Sequence, residues 1–227
     1  MIKLLIFDLD GTLADTGQDI TNALNYALEP FGVREYSVDE TKAMVGSGIS
    51  ILLASLIPDD SKAAVAISNS KGQKPEDLVL NRFLEYYDNH LIENTVAYPY
   101  IKETLSKLSD YKKAVLSNKR EVYSKRVLQG LDILQYFDLV WGSDSVREKK
   151  PSPVPVFDMM EQFSASRDET VLIGDSNYDI EAGKAAGITV IGVTYGFRSR
   201  EFLKDADHMI DRFDELLHVL SDLNQMG

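Results

Sequence analysis

A chain of 227 residues that is 44% hydrophobic and 26% charged has enough apolar material for one large domain, or for a core carrying one inserted domain. Its net charge of −12 and the lack of a basic cluster argue against nucleic acid and anionic membranes as partners. The absence of cysteine rules out disulfides, thiolate zinc sites and a cysteine nucleophile. Leu4 to Phe7 is a short continuous apolar run, as in a strand buried on both faces of a parallel sheet. The run meets Asp8 too soon for a signal peptide, and no other approaches the ~18 residues of a membrane span. A soluble, cytoplasmic protein is expected. The strand stops on Asp8-Leu9-Asp10-Gly11. Two carboxylates two residues apart on an extended chain project to the same side, and their repulsion asks for a bound cation or a proton shared with a substrate. Asp-Gly is also a hairpin signal. Ile20, Leu24, Ala27 and Leu28 recur at helical spacing, however, so Asp15 to Leu28 reads as helix rather than return strand.

Roughly a hundred residues separate Thr12 from the next strand-like run, where a parallel crossover needs only about a dozen. The inserted material is helical. Helices are predicted over Asp15–Leu28, Ser37–Val45, Ile49–Ile57 and Pro75–Leu91, the second opening on the capping box Ser37-Val38-Asp39-Glu40. Gly32, Pro58 and Gly72 punctuate them. Residues 15–92 therefore read as a small helical domain on two linkers able to hinge, with Ile67 to Lys74 as its mobile loop. Residues 1–14 and 93–227 form the core domain.

From Pro99 the pattern alternates. Ile101–Leu108 reads as helix, Lys113–Asn118 as strand, Val122–Leu131 as helix and Phe137–Trp141 as strand. Val154–Phe163 follows as helix, with Ser152 as N-cap and Pro153 at the first helical position. Then come strand Thr170–Gly174, helix Ile180–Ala186 closed by Gly187, strand Thr189–Val193 and a last helix, Arg212–Leu223. The fold class is α/β: a doubly wound, Rossmann-type parallel sheet with helices on both faces and an inserted helical domain.

In such sheets function gathers off the carboxyl ends of the strands. The first strand ends at Asp8 and Asp10, the second at Ser117 and Asn118. Glu148-Lys149-Lys150-Pro151 follows the third, and Asp175, with Asp179 one helical turn on, closes the fourth. Each has a bland reading: a turn or cap at Ser117-Asn118, a solvated turn at Lys149-Lys150-Pro151, a helix start at Gly174 to Asp179. Four coincidences at four strand ends are much less probable than one site. Asp175, Asn177 and Asp179 echo a calcium loop, but Ile180 and Ala186 stand where glycine and glutamate are needed. His90, His208 and His218 lack metal-ligand spacing and read as surface or packing residues.

Asp8-Leu9-Asp10-Gly11-Thr12, Leu116-Ser117-Asn118, Lys150-Pro151 and Gly174 to Asp179, in that order, resemble the four motifs of the haloacid dehalogenase superfamily. The insertion resembles the helical cap of its first cap class. Phe7 to Thr16, Val45-Gly46-Ser47-Gly48, Ser117-Asn118-Lys119, Gly174-Asp175-Ser176 and Val193 to Gly196 most resemble phosphoglycolate phosphatases. One departure is Tyr98-Pro99-Tyr100, where relatives usually read Tyr-Pro-Gly; it is expected to stiffen the hinge. The resemblance implies Asp8 as nucleophile, giving an aspartyl-phosphate, and Asp10 as general acid and then base. It implies Mg²⁺ held by Asp8, Asp175 and the Asp10 backbone carbonyl, with Asp179 in support; oxygen-only ligation suits magnesium. It places Ser117, the Asn118 backbone and Lys150 on the phosphate oxygens, and Gly46 and Ser47 in a cap loop that sets specificity. Four carboxylates against Mg²⁺ and Lys150 leave one negative charge, which protonation of Asp10 removes, so that a phosphate dianion is accepted.

The implied activity is Mg²⁺-dependent hydrolysis of a small phosphate monoester, 2-phosphoglycolate first. Sugar-phosphate phosphatase or phosphomutase and pyrophosphatase activities are the alternatives. Dehalogenation lacks an equivalent of Asp10. A phosphonatase supplies a cap lysine, for which Lys42 is in the right region. A receiver-like phospho-acceptor module shares clustered aspartates, a hydroxyl, a lysine and magnesium, but carries no cap, and Asp10 is poised for turnover. A binding-only pseudoenzyme fits poorly, since no catalytic position is substituted. The partner is a small phosphorylated metabolite, and the protein a monomer or homodimer.

Overall fold

The computed structural model describes residues 1–57, 72 and 74–226. The chain divides into two compact units, Met1–Asp15 with Val96–Gly227, and Thr16–Thr95. In the first, β1 (Leu4–Phe7) is wholly buried and pairs in parallel with β4 (Lys112–Leu116) on one side and β6 (Thr170–Gly174) on the other. β5 (Leu139–Trp141) extends the sheet beyond β4. β7 (Thr189–Val193) and β8 (His208–Ile210) extend it beyond β6. The order β5-β4-β1-β6-β7-β8 is all parallel and reverses at β1, the doubly wound order.

Alternate residues of the buried strands serve opposite faces. Leu4, Ile6, Leu116 and Leu172 pack with Val156 and Met159 of α7 (Val154–Gln162) and Ala182 and Ala186 of α8 (Asn177–Ala186). On the other face Phe7 meets Phe137 edge-on at 5.9 Å and Phe213 at 6.0 Å. α5 (Ile101–Ser106) packs on the 3₁₀ turn holding Phe213, which leads into α9 (Leu216–Met226). α6 (Glu121–Gly130) lies on β5. Tight glycines permit this packing: a Cβ on Gly183 of α8 would sit 2.3 Å from Val190.

The differences from the sequence expectations have local causes. Five strands were legible and the sheet has six; β8 is only three residues long, with Met209 exposed and Ile210 buried, too short to show alternation. A further two-residue pair, β2 (Ala14–Asp15) with β3 (Val96–Ala97), is antiparallel. α8 starts three residues earlier than its apolar spacing suggests because Ser176 and Asp179 form a capping box. Pro153, not Ser152, is the N-cap of α7, while the Ser152 hydroxyl accepts from the Val154 N–H at 3.2 Å. The last helix begins at Leu216 rather than Arg212, which caps the 3₁₀ turn instead. Tyr100 takes φ +68°, a left-handed conformation ordinary for glycine and costing other residues about 1–2 kcal/mol; the Arg212 guanidinium lies 4.8 Å over its ring.

The second unit is helical. α1 (Gly17–Leu28) buries Ile20, Ala23, Leu24 and Ala27, and packs against α4 (Pro75–His90), which buries Leu78, Val79, Phe83 and Tyr87. α2 (Val38–Met44) opens on the Ser37–Glu40 capping box, and α3 (Ile49–Leu56) buries Leu52 and Leu53. The ends of the unit are tied together by Asp19, whose buried carboxylate accepts from Asn94 and Thr95 at 2.8–3.0 Å. Of the expected loop from Ile67 to Lys74, all but Gly72 and Lys74 lie outside the described residues.

Candidate active site

The carboxyl ends of β1, β4 and β6 and the loop after β5 bring together Asp8, Asp10, Ser117, Lys150, Asp175 and Asp179. Asp8 continues the ladder from β1, its N–H donating to the Ile173 carbonyl at 2.9 Å, and its Oδ1 accepts from the Leu9 N–H at 2.7 Å. Lys150, only 3% exposed, places Nζ 2.9 Å from Asp8 and 2.6 Å from Asp179. Asp179 also accepts from the backbone N–H and hydroxyl of Ser176, at 3.1 and 2.6 Å. Asp175 accepts from the Thr12 hydroxyl at 3.2 Å and from the Phe197 N–H at 2.7 Å. Its neighbours must be glycines. A Cβ on Gly11, whose φ is +88°, would fall 2.2 Å from Asp175 Oδ2, and one on Gly196 would fall 2.3 Å from the Asp175 Cβ.

Carboxylate oxygens of Asp8, Asp175 and Asp179 lie within 4.8 Å of one another. Burial pushes Asp8 up to about 7, helped by Asp179 and opposed by Lys150. Burial, then the charges of Asp8 and Asp179, raise Asp175 well above the carboxylate range against the Phe197 and Thr12 hydrogen bonds. Three buried hard-oxygen donors, two of them reluctant to ionise alone, fit a divalent cation. Both groups bind protons more tightly folded than unfolded, so these two groups favour the cation-free fold most at low pH. It loses that contribution as pH rises from the unfolded 3.8 to about 7. In EDTA the melting temperature is expected to fall from pH 5 to pH 8, and an added divalent cation to restore most at pH 8, where fewer protons must be shed to bind it. A flat profile that Asp8→Asn leaves unchanged would contradict this.

Asp10 stands apart from that trio. Its carboxylate receives Lys119 Nζ on both oxygens, at 2.9 and 3.0 Å. The sequence reading quoted this lysine in Ser117-Asn118-Lys119 but gave it no role, because it looks like an ordinary turn residue. The charge count changes with it: the two ammonium groups, Lys119 and Lys150, and one divalent cation balance all four carboxylates, so that a proton carried by Asp10 leaves the site one positive charge for a phosphate dianion. The Asn118 side chain has a structural task. It donates to the Lys150 carbonyl at 2.9 Å and accepts from the Lys150 N–H at 3.1 Å, locking the two loops together. Ser117 is 3% exposed, and its hydroxyl accepts from the Lys119 N–H at 3.2 Å. The Tyr195 hydroxyl, donating to the Thr12 carbonyl at 3.0 Å, steadies the loop after β1; the sequence reading quoted it within Val193 to Gly196 without a role.

Gly46 and Ser47 belong to the second unit, in the turn between α2 and α3, where Gly46 and Gly48 take φ +146° and +95°. Lys42, the lysine considered for a Schiff base, lays its stem against Gly17 at the start of α1; a Cβ there would be 2.3 Å from Lys42 Cε. Among the described residues no helix is long and apolar enough to cross a membrane.

Residues 5–193 match the family model of the haloacid dehalogenase-like hydrolases. The chain is 34% identical over 203 residues to a phosphoglycolate phosphatase of Aquifex aeolicus, spanning 86% of each chain. It is 32% identical over 224 residues to a phosphoglycolate phosphatase of Vibrio parahaemolyticus, spanning 97% of this chain and 96% of the relative. A crystal structure described as that of a predicted phosphoglycolate phosphatase from Haemophilus somnus superposes with a TM-score of 0.84, covering 96% of this chain and 98% of that one at 27% identity.

Proposed function

This chain belongs to the haloacid dehalogenase-like hydrolases, and from that premise we propose that it is a Mg²⁺-dependent phosphatase acting on a small phosphate monoester, 2-phosphoglycolate first. The observation that carries the reading is the convergence of Asp8, Asp10, Lys150 and Asp175 at the carboxyl edge of one sheet, with Lys150 bridging Asp8 and Asp179. An Asp8 oxygen bonds to phosphorus as the ester P–O bond breaks, and Asp10 gives its proton to the leaving oxygen. Asp10 then takes a proton from water as the water oxygen bonds to phosphorus and the Asp8–phosphorus bond breaks. Lys150, the Ser117 hydroxyl and the Asn118 N–H serve the phosphoryl oxygens, where charge builds up in the transition state. Asp8 and Asp175, with the Asp10 carbonyl and Asp179 close by, would hold Mg²⁺, which when bound neutralises phosphoryl charge. Gly46 and Ser47 are the proposed specificity positions on the strength of the resemblance.

A steady-state screen of small phosphate esters tests this. Turnover is expected with Mg²⁺, fastest on 2-phosphoglycolate, lost in EDTA and poorly supported by Ca²⁺, whose looser coordination misplaces the nucleophile. A hundredfold preference for a hexose phosphate or pyrophosphate would overturn the substrate. A single burst without continued phosphate release would favour a phospho-acceptor module.

A further inference from the structure

We propose that Lys119 is a positioning residue for Asp10, holding its carboxyl group on the line of the leaving oxygen through both halves of the reaction; this rests on the phosphatase reading above. The loop after β1 carries Asp10 on short backbone turns, with the Gly11 N–H donating to the Ala14 carbonyl at 2.9 Å. That fixes the Asp10 backbone but leaves the side-chain torsions to be set by partners. Lys119 supplies two hydrogen bonds from across the site, 109 residues away in sequence, onto both carboxylate oxygens. The two side chains are 8% and 11% exposed, so water competes little for either. Lys119 itself is anchored, because its own N–H donates to the Ser117 hydroxyl, next to the site for phosphate.

The arrangement suits a group that gives up a proton and then takes one back. When Asp10 is a carboxylate, the ammonium bonds both oxygens; when one oxygen carries the proton, Lys119 still donates to the other. The carboxyl group therefore need not be found again between the two steps. A displacement of about 1 Å in a proton-transfer group can cost on the order of 10²-fold. Lys150, in contrast, bonds Asp8 and Asp179 and serves the phosphoryl side of the site.

Leaving groups separate this role from a general electrostatic one. An alkyl ester such as 2-phosphoglycolate needs a proton on its leaving oxygen, whereas p-nitrophenyl phosphate departs as a stabilised phenolate. Lys119→Met is expected to lower kcat/KM, which reports phosphoryl transfer to Asp8 ahead of the hydrolysis that both esters share, about 10²-fold further on the alkyl ester than on the aryl ester, and Lys119→Arg to recover much of the loss. In an Asp10→Asn background, adding Lys119→Met should cost nothing more on the alkyl ester, since both changes remove one function. Equal losses of kcat/KM on the two esters, or multiplicative losses in the double variant, would overturn the proposal. Melting curves of Lys119→Met and Asp10→Asn separate these results from unfolding. A wild-type protein that hydrolyses neither ester would instead remove the phosphatase reading on which the role depends.

Discussion

Asp8→Asn is expected to abolish turnover, by on the order of 10⁴–10⁶-fold, in a protein that still folds. An amide cannot attack phosphorus usefully at neutral pH, and no neighbouring side chain can take over, because Asp179 is held by Lys150 and Ser176 and Asp175 by Thr12 and Phe197. The fold is expected to survive. The amide oxygen can still accept the Leu9 N–H, and Lys150 keeps Asp179 as its partner. The buried charge that raises Asp8 to about 7 is removed, so in EDTA at pH 8 the variant should melt at or above the wild-type temperature. It should also lose most of the stabilisation that a divalent cation brings. Kinetics with calorimetry checks both halves: residual turnover within tenfold of wild type would contradict the nucleophile, and a large drop in melting temperature would contradict the electrostatic account.

Lys150→Met has the second-largest expected effect, and it combines stability with activity. Burial pushes the ammonium down, but Asp179 and Asp8 more than offset this and leave Lys150 firmly charged. Removing it leaves two buried carboxylates without their common cation. Breaking one side of such a buried pair costs about 3–5 kcal/mol, and the loss should be larger at pH 8 than at pH 5, where Asp8 takes up a proton instead. Activity should fall a further 10²–10³-fold or so, the scale of losing one donor to developing charge. Urea titrations at the two pH values, with and without Mg²⁺, test the first point; a variant as stable as wild type at pH 8 would show that Lys150 does not neutralise the pair.

The strands that place the chemistry were legible because a strand buried on both faces is a bare apolar run, and Leu4–Phe7 and Thr170–Gly174 are such runs, each followed by an aspartate. Asp8, Asp175 and Lys150 could be read from their position after such runs. Lys119 could not. Nothing local distinguishes a lysine in a turn from a solvated one, and its meaning comes only from a partner on another strand end. The same holds for the Asn118 side chain, which binds a backbone 32 residues away, and for Gly196 and Phe197, which close around Asp175 from the end of β7. Tyr100 was flagged as a departure from glycine, and its left-handed φ shows why glycine is the easier residue there. β8 escaped because three residues on a sheet edge carry too little pattern to read.

The central claim is that Asp8 forms the bond to phosphorus, and a phosphoryl mimic that binds only a poised carboxylate tests it most directly. Beryllium trifluoride, added with Mg²⁺ and followed by fluorine NMR and a crystal structure, should attach to an Asp8 oxygen beside Lys150, Ser117 and Asp175. The bound signal should vanish in Asp8→Asn and in EDTA. Attachment at Asp10 or Asp175, or a signal unchanged in Asp8→Asn, would contradict the account.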